Sequence, residues 1–249
     1  MSGSLQRVDL AGGYLLHHRP YRDTSLIVDI FTRDHGRLTT FARGVRGARG
    51  RNSRFSTLRP FQRLLLSWHG RGEAPRLIAA EADGAIAALP SANLLGAFYV
   101  NELLLKLTTT HDPHPDLFAL YERTLQALAA DSPEPALRRF ERQLLQLIGF
   151  GMDLTSDAGT GVPVRDDRHY GYRPGVGVHE LGAEEEGAFR GSLLLSLACD
   201  APMSDAERRD ARRLMRAAID HCLDGRELNT RTVARSIARM EQTPARAAS

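Results

Sequence analysis

The feature that most constrains this chain is a change of period at Leu89-Pro90. Ahead of it, apolar residues come in short runs cut by turns; behind it, they recur at spacings of three and four. The first half therefore reads as strands. Gly13-Tyr14-Leu15-Leu16 is followed by a breaker, Arg19-Pro20-Tyr21-Arg22-Asp23. Ser25 to Thr32 is β-branched and eight residues long, as a mostly buried strand requires. Arg33 to Gly36 makes a hairpin connection into a strand over Arg37 to Arg43. Alternation in that strand places Leu38, Thr40 and Ala42 on one face and Arg37, Thr39, Phe41 and Arg43 on the other. Phe61 to Trp68 and Arg76 to Ala82 supply two more strands. Five short strands with one long loop fit a small barrel of the OB type. The fold class expected is α+β: an N-terminal five-stranded barrel over residues 1–84, then a helical domain over residues 85–240.

The strand half also carries the main charge asymmetry. From His35 to Gly72 there is no Asp or Glu, yet nine arginines stand there: Arg37, Arg43, Arg46, Arg49, Arg51, Arg54, Arg59, Arg63 and Arg71. The whole chain is only +3, so this window stands far from the average. Its centre interleaves Arg with Gly, Ala and Ser, residues of turns and loops. Arginine presents a rigid five-donor fork that keeps its charge and grips phosphate bidentately. The alternative is a solvated loop without a partner. OB barrels bind single strands through a cationic groove plus aromatic platforms, for which Phe41 and Trp68 are candidates, each also readable as core; Tyr14 and Tyr21 stay undecided.

In the helical half, Ser91 is placed to cap a helix carrying Leu94, Leu95, Phe98, Val100, Leu103, Leu104 and Leu107. Asn101-Glu102 lies within it and needs partners if buried. A second helix follows His111-Asp112-Pro113, and Ser132-Pro133 opens a third that stops at Gly149. Residues 149–182 are rich in glycine and read as an irregular insert. His169 and His179, with Asp166 and Asp167, offer metal-ligand types without a recognised spacing. Ser204-Asp205-Ala206-Glu207 is a capping box opening a helix to about Leu223. Its arginines, Arg208, Arg209, Arg212, Arg213 and Arg216, form either a solvated face or a second polyanion contact. A last basic helix spans Leu228 to Met240 with Arg231, Arg235 and Arg239, and residues 241–249 read as a disordered tail.

Several function classes are excluded by what the sequence lacks. The opening MSGSLQRVDL has no apolar signal core, and no run of eighteen apolar residues exists to span a membrane. The two cysteines, Cys199 and Cys222, are too few for a disulfide framework or a four-thiolate zinc site. A cytoplasmic, nucleoid-associated protein with reduced thiols is expected. There is no HExxH, P-loop or GxSxG, so no enzyme, cofactor or metal is expected. A nuclease built on Asp23, Asp29 and Asp34 is one rival reading; an OB module for structured RNA and a pure protein scaffold are the others.

Particular stretches carry a family resemblance. They are Tyr21-Arg22-Asp23-Thr24-Ser25-Leu26, Asp29-Ile30-Phe31-Thr32 with Gly36-Arg37, Ala42-Arg43-Gly44-Val45-Arg46, and Leu58-Arg59-Pro60-Phe61. Further on come Tyr99-Val100-Asn101-Glu102-Leu103-Leu104, Leu117-Phe118-Ala119-Leu120-Tyr121, Ala136-Leu137-Arg138-Arg139-Phe140-Glu141 with Leu144-Leu145, and Gly149-Phe150-Gly151. In this order, over about residues 5 to 240, the chain resembles the RecO family of bacterial DNA repair and recombination mediators. The resemblance implies an OB-fold, a helical domain and a zinc-ribbon-like insert. Many relatives carry four cysteines in that insert; this chain has none between Gly149 and Gly182, so zinc is not carried over and the insert is expected to be held by packing alone.

The resemblance further implies binding of single- and double-stranded DNA, annealing of complementary strands, and a role in the RecF pathway of homologous recombination. There the partner RecR would help load RecA onto DNA coated with single-strand-binding protein. The DNA-contacting residues expected here are Arg37, Arg43, Arg46, Arg49, Arg51, Arg54, Arg59 and Arg231. The helical domain of the family grips the acidic C-terminal tail of single-strand-binding protein, which ends in an apolar residue. Leu137, Arg138 and Phe140 are the candidates for that grip; the alternative for Arg138 is an intrahelical partner, Glu141 or Glu134.

Overall fold

The computed structural model describes residues 6–45, 55, 57–70, 72, 74–84, 88–130, 132–181 and 187–242. Packing divides it into two units, Met1–Ala130 with Leu228–Ser249, and Asp131–Glu227.

In the first unit, β1 (Gln6–Tyr21), β2 (Ser25–Thr32), β3 (Gly36–Ala42), β4 (Arg63–Gly70) and β5 (Arg76–Ala82) close a barrel in the order β1-β2-β3-β5-β4. All pairs are antiparallel except β3 with β5. The long β1 makes closure possible: residues 6–14 pair with β4, and residues 13–21 pair with β2. This corrects the breaker expected at Arg19 to Asp23. Pro20 stands opposite Leu26 in the part of β1 that pairs on one side only, where a missing N–H leaves no ladder bond unmade. Leu15, Val28, Ile30, Leu38, Ala42, Leu64, Leu66, Trp68 and Leu77 fill the interior. Alternation in β3 is as read from the sequence, with Leu38, Thr40 and Ala42 buried and Arg37, Thr39 and Phe41 half-buried. Gly36 closes the β2–β3 turn at φ +66°, and a Cβ there would sit 2.1 Å from the Asp112 carbonyl oxygen. Only glycine fits both demands.

α1 (Leu94–Leu107) ties the barrel to two further helices, α2 (Pro115–Ala130) and the C-terminal helix Asn229–Gln242. Ser91 does not cap α1; it opens a 3-10 turn, Ser91–Asn93, and neither start carries a side-chain cap. The buried pair Asn101-Glu102 finds the partners it needs. Asn101 donates to the Leu16 carbonyl at 3.0 Å and accepts from the Tyr121 hydroxyl at 2.7 Å, joining α1 to β1 and α2. The Glu102 carboxylate accepts from the backbone N–H of Asn229 at 2.8 Å and of Thr230 at 2.9 Å, and from the Thr230 hydroxyl. A carboxylate from another helix thus satisfies orphan donors at the C-terminal helix's start.

The second unit contains α3 (Pro133–Leu147), β6 (His169–Arg173), β7 (Gly177–Leu181), β8 (Phe189–Arg190), α4 (Gly191–Ala198) and α5 (Asp205–Leu223); the C-terminal helix of the first unit is α6. Residues expected to be irregular therefore hold a β6–β7 hairpin, with β8 added to form a sheet in the order β7-β6-β8. Glycine masks the alternation: at Gly171 the His179 ring occupies the space a Cβ would take, 2.5 Å from Nε2. Nor is packing alone what holds the insert. Asp157 accepts from the N–H of Gly159 at 2.9 Å, Thr160 at 2.8 Å and Glu180 at 2.7 Å, pinning its loop to β7. The expected capping box of α5 is formed by Ser204 and Glu207 in both directions. Among the described residues no helix is long and apolar enough to cross a membrane.

Candidate nucleic-acid interface

Register decides what the barrel shows to the outside. Reading across the strands, Arg19 stands opposite Ile27, Ile27 opposite Phe41, Phe41 opposite Arg76, Arg76 opposite His69, and His69 opposite Arg7. Opposed residues share a face, so these six form one outward row around the barrel. Inward neighbours of the row, such as Ala42 and Leu77, are buried. Arg19 and Arg76 are exposed and make no ion pair among the described residues; Arg7 is paired with Asp9 at 2.9 Å.

At the β1–β2 end of this row the row's aromatic meets a second one. Tyr21 and Phe41 lie with ring centroids 5.4 Å apart at 52°, and the Arg22 guanidinium stands 5.2 Å from the Tyr21 centroid. Arg22 takes φ +53°, a left-handed conformation that costs a non-glycine residue about 1 kcal/mol. The turn Arg22-Asp23-Thr24 is held from the other side by Val45, whose N–H donates to the Thr24 carbonyl at 2.9 Å. Arg43 is exposed beside it. Arg46, Arg49, Arg51 and Arg54 lie outside the described residues. Val45 packs against the barrel core, and Phe55 is buried in it. Arg59, four residues on, is exposed.

The remaining sequence candidates are placed differently. Arg37 is half-buried, donating to the Thr108 hydroxyl at 3.2 Å and the Thr108 carbonyl at 2.8 Å, where it satisfies the end of α1. Burial pulls its pKa below the ordinary guanidinium value, with Asp29 pulling the other way. Arg63 is tied to Asp83 at 2.8 Å and to Glu122, which also accepts from the Tyr14 hydroxyl at 3.1 Å. Trp68 is core, 1% exposed, with His35 edge-on at 5.1 Å and its indole N–H without a hydrogen-bond partner. Tyr14 is likewise buried, which raises its phenol pKa, as does Glu122. Arg231 is half-buried on α6.

On α3, Arg138 is buried and donates to Glu141 at 2.8 Å, the intrahelical alternative; its Nε has no hydrogen-bond partner. Phe140 is fully buried and Leu137 half-buried. Glu134 instead accepts from Arg212 of α5. Asp23 and Asp34 lie at opposite ends of β2, about 25 Å apart at the usual rise per residue. Asp29, between them, accepts from Thr39 at 2.6 Å and faces His17 at 3.7 Å. Three carboxylates so spread cannot share a metal ion. Among the described residues no group of three His, Cys, Asp or Glu side chains is arranged to hold one.

Three functional candidates are not marked by the sequence pattern. Arg22 and Arg19 lie in the stretch that reads as a breaker, and Arg76 starts a strand whose parallel pairing with β3 no local pattern announces. The signal available for the first was Tyr21-Arg22 itself, an aromatic beside a cation at a hairpin end.

The geometry can be set beside known proteins. A family model described as "Recombination protein O N terminal" matches residues 10–83, and one described as "Recombination protein O C terminal" matches residues 91–232. The chain is 44% identical over 253 aligned positions to the DNA repair protein RecO of Alkalilimnicola ehrlichii, covering 98% of each chain. It is 44% identical over 235 positions to the DNA repair protein RecO of Methylococcus capsulatus, covering 94% of this chain and 96% of the relative. For the DNA repair protein RecO of Marinobacter nauticus the identity is 38% over 239 positions, covering 94% and 95%.

Proposed function

Because this chain belongs to the RecO family of DNA repair and recombination proteins, we propose that it acts without catalysis of its own, binding single- and double-stranded DNA and annealing complementary strands. The observation that carries this is the outward row of the barrel and its surroundings: Arg19 and Arg76 in the row, and Arg22 and Arg43 beside it, form no ion pair among the described residues. Arginines without acid partners keep their positive potential for phosphate. Neutralising phosphates on two strands lowers the repulsion that opposes their pairing. The acid-free window also holds Arg46, Arg49, Arg51 and Arg54, whose charges add to the same reading. If about six phosphates are contacted, log affinity for single strands falls with log salt at a slope of roughly −4.

Helping RecR to load RecA, and gripping the tail of single-strand-binding protein, complete the proposal. The tail is assigned to α3 around Leu137, Arg138 and Phe140. Arg138 supports this through its unpartnered Nε; its pair with Glu141 and its burial mean the tail must open a covered site. Tethering to coated strands would raise the local concentration of both reactants. A cytoplasmic location follows from this role.

The test is annealing of two labelled complementary oligonucleotides, bare and then coated with single-strand-binding protein, across a salt series. Replacement of Arg43, Arg46, Arg49 and Arg51 by Ala should abolish annealing on both substrates, whereas Arg138→Ala should fail on coated strands alone. A parent protein that anneals neither at low salt would overturn the reading.

A further inference from the structure

We propose that Tyr21 and Phe41 form a stacking subsite for an unpaired nucleobase, one that loses its grip when the bound strand becomes duplex. The inference rests on the DNA-annealing reading and assigns to two rings the discrimination between substrate and product.

These two rings stand apart from the other aromatics of the barrel. Tyr14, Phe31, Phe55, Phe61 and Trp68 are all buried, whereas Tyr21 is 37% exposed and Phe41 half-buried. Neither ring is needed to fill the interior, because the inward positions beside them are taken by Ala42 and Leu77. The rings meet at 52°, so they form a corner rather than a closed stack, and both keep surface exposed to solvent. Cations frame the corner. Arg22 stands over Tyr21, Arg76 is in register with Phe41, and Arg43 is two residues further along the same face. A base against the rings would leave its flanking phosphates within the reach of these side chains.

Such a corner reads the π-face of a base and not its edge, so it accepts any base. What it does discriminate is strand state. In a duplex both faces of each base are covered by its neighbours, and a ring reaches a face only after unstacking that costs a few kcal/mol. Arginine on phosphate makes no such distinction. Single strands therefore engage rings and arginines together; duplex engages the arginines alone. When two bound strands pair, the bases withdraw into their own stack, the ring contacts are broken, and the product is held by less than either reactant was. The barrel thus carries its own release step, driven by the pairing it promotes.

The experiment compares binding of a fluorescent oligothymidylate and of a duplex of equal length by the full chain, at one fixed salt. The parent is set against Tyr21→Phe, which keeps the ring, and against a double variant, Tyr21→Leu with Phe41→Leu, which keeps apolar bulk and removes both rings. The double variant should bind the single strand about tenfold more weakly or worse, and the duplex within about twofold of the parent. Tyr21→Phe should bind both as the parent does. As a check that needs no variant, an oligonucleotide carrying 5-iodouracil should photocrosslink to Tyr21 or Phe41 when single-stranded and not when duplex. An unchanged single-strand affinity in the double variant, an equal loss on both substrates, or crosslinks only elsewhere would overturn the stacking subsite while leaving DNA binding in place. A parent that binds neither substrate would overturn the DNA reading itself, and the inference with it.

Discussion

Arginine has two fates in this protein, and the two packing units share them unequally. In residues 132–227 most described arginines are matched by acids: Arg138 by Glu141, Arg139 and Arg142 by Asp200, Arg165 by Asp167, Arg168 by Glu180, Arg208 by Asp205, Arg212 by Glu134 and Arg213 by Asp210. On the barrel, Arg19, Arg22, Arg43, Arg59 and Arg76 have no ion pair among the described residues. The cause is local composition. α5 places Asp205 and Asp210 three residues ahead of Arg208 and Arg213, the spacing at which helical side chains meet. The window from His35 to Gly72, which holds Arg43 and Arg59, offers no acid of its own. An arginine beside a carboxylate has little field left for phosphate; one without keeps it. Counting arginines would have weighted α5 as heavily as the barrel. Counting unmatched arginines does not.

The comparison breaks first, and hardest, on the barrel. Replacing Arg22, Arg43 and Arg76 together by Ala should weaken single-strand binding about a hundredfold at low salt and reduce the salt slope by about 2, measured by fluorescence anisotropy across a salt series. A slope equal to the parent's would show that these residues touch no phosphate. Next in size is the tie between α1 and α6. Glu102→Ala leaves the N–H groups of Asn229 and Thr230 without their acceptor, and about 1–2 kcal/mol of stability should be lost in denaturant melts. Hydrogen exchange at those two amides should rise with it; unchanged protection there would contradict the cap.

Smaller still is the effect on the matched side of the comparison. Arg209→Ala with Arg212→Ala removes one unmatched and one matched arginine from α5. DNA affinity should stay within about twofold of the parent and stability within about 0.5 kcal/mol, as for other exposed charges. A loss as large as that of the barrel variant would show that matched and unmatched arginines bind DNA alike. Least visible at neutral pH is Asp157. Its carboxyl is drawn from the ordinary 3.8 down to about 2, chiefly by the Glu180 N–H and then by Thr160. A lowered carboxyl pKa stabilises the fold above the ordinary value and ceases to do so as pH falls through about 2. Exchange protection at Gly159, Thr160 and Glu180 should therefore hold to near pH 4 and fade below it. Protection independent of pH across that window would show that the loop is held by other means.

How much of this was legible in the sequence varies with how local the cause is. β2 and β5 are bounded as their apolar runs suggest, and the capping box of α5 formed as written, because each depends on residues a few positions apart. The faces of β3 followed from alternation alone. Closure of the barrel did not, since it requires β1 to run through Pro20, which is tolerated only because that stretch has one partner strand. The site was half legible. The acid-free window pointed to the barrel, but Arg37, one of its members, turns to the end of α1 and Arg63 to Asp83 and Glu122. Trp68 and Phe41 were equal candidates by type; register and burial send one inward and pair the other with Tyr21. The insert was least legible, because glycine and a carboxylate do there what a visible repeat of cysteines would announce.

The measurement that reaches the central claim most directly is arginine footprinting. The full chain is treated with a guanidinium-selective dicarbonyl, with and without a saturating single-stranded oligonucleotide, and modified sites are located by mass spectrometry. Protection is expected at Arg22, Arg43 and Arg76 and unchanged labelling at Arg209 and Arg216, exposed arginines of α5 without an ion pair among the described residues. Protection at Arg209 and Arg216 with none on the barrel would contradict that claim.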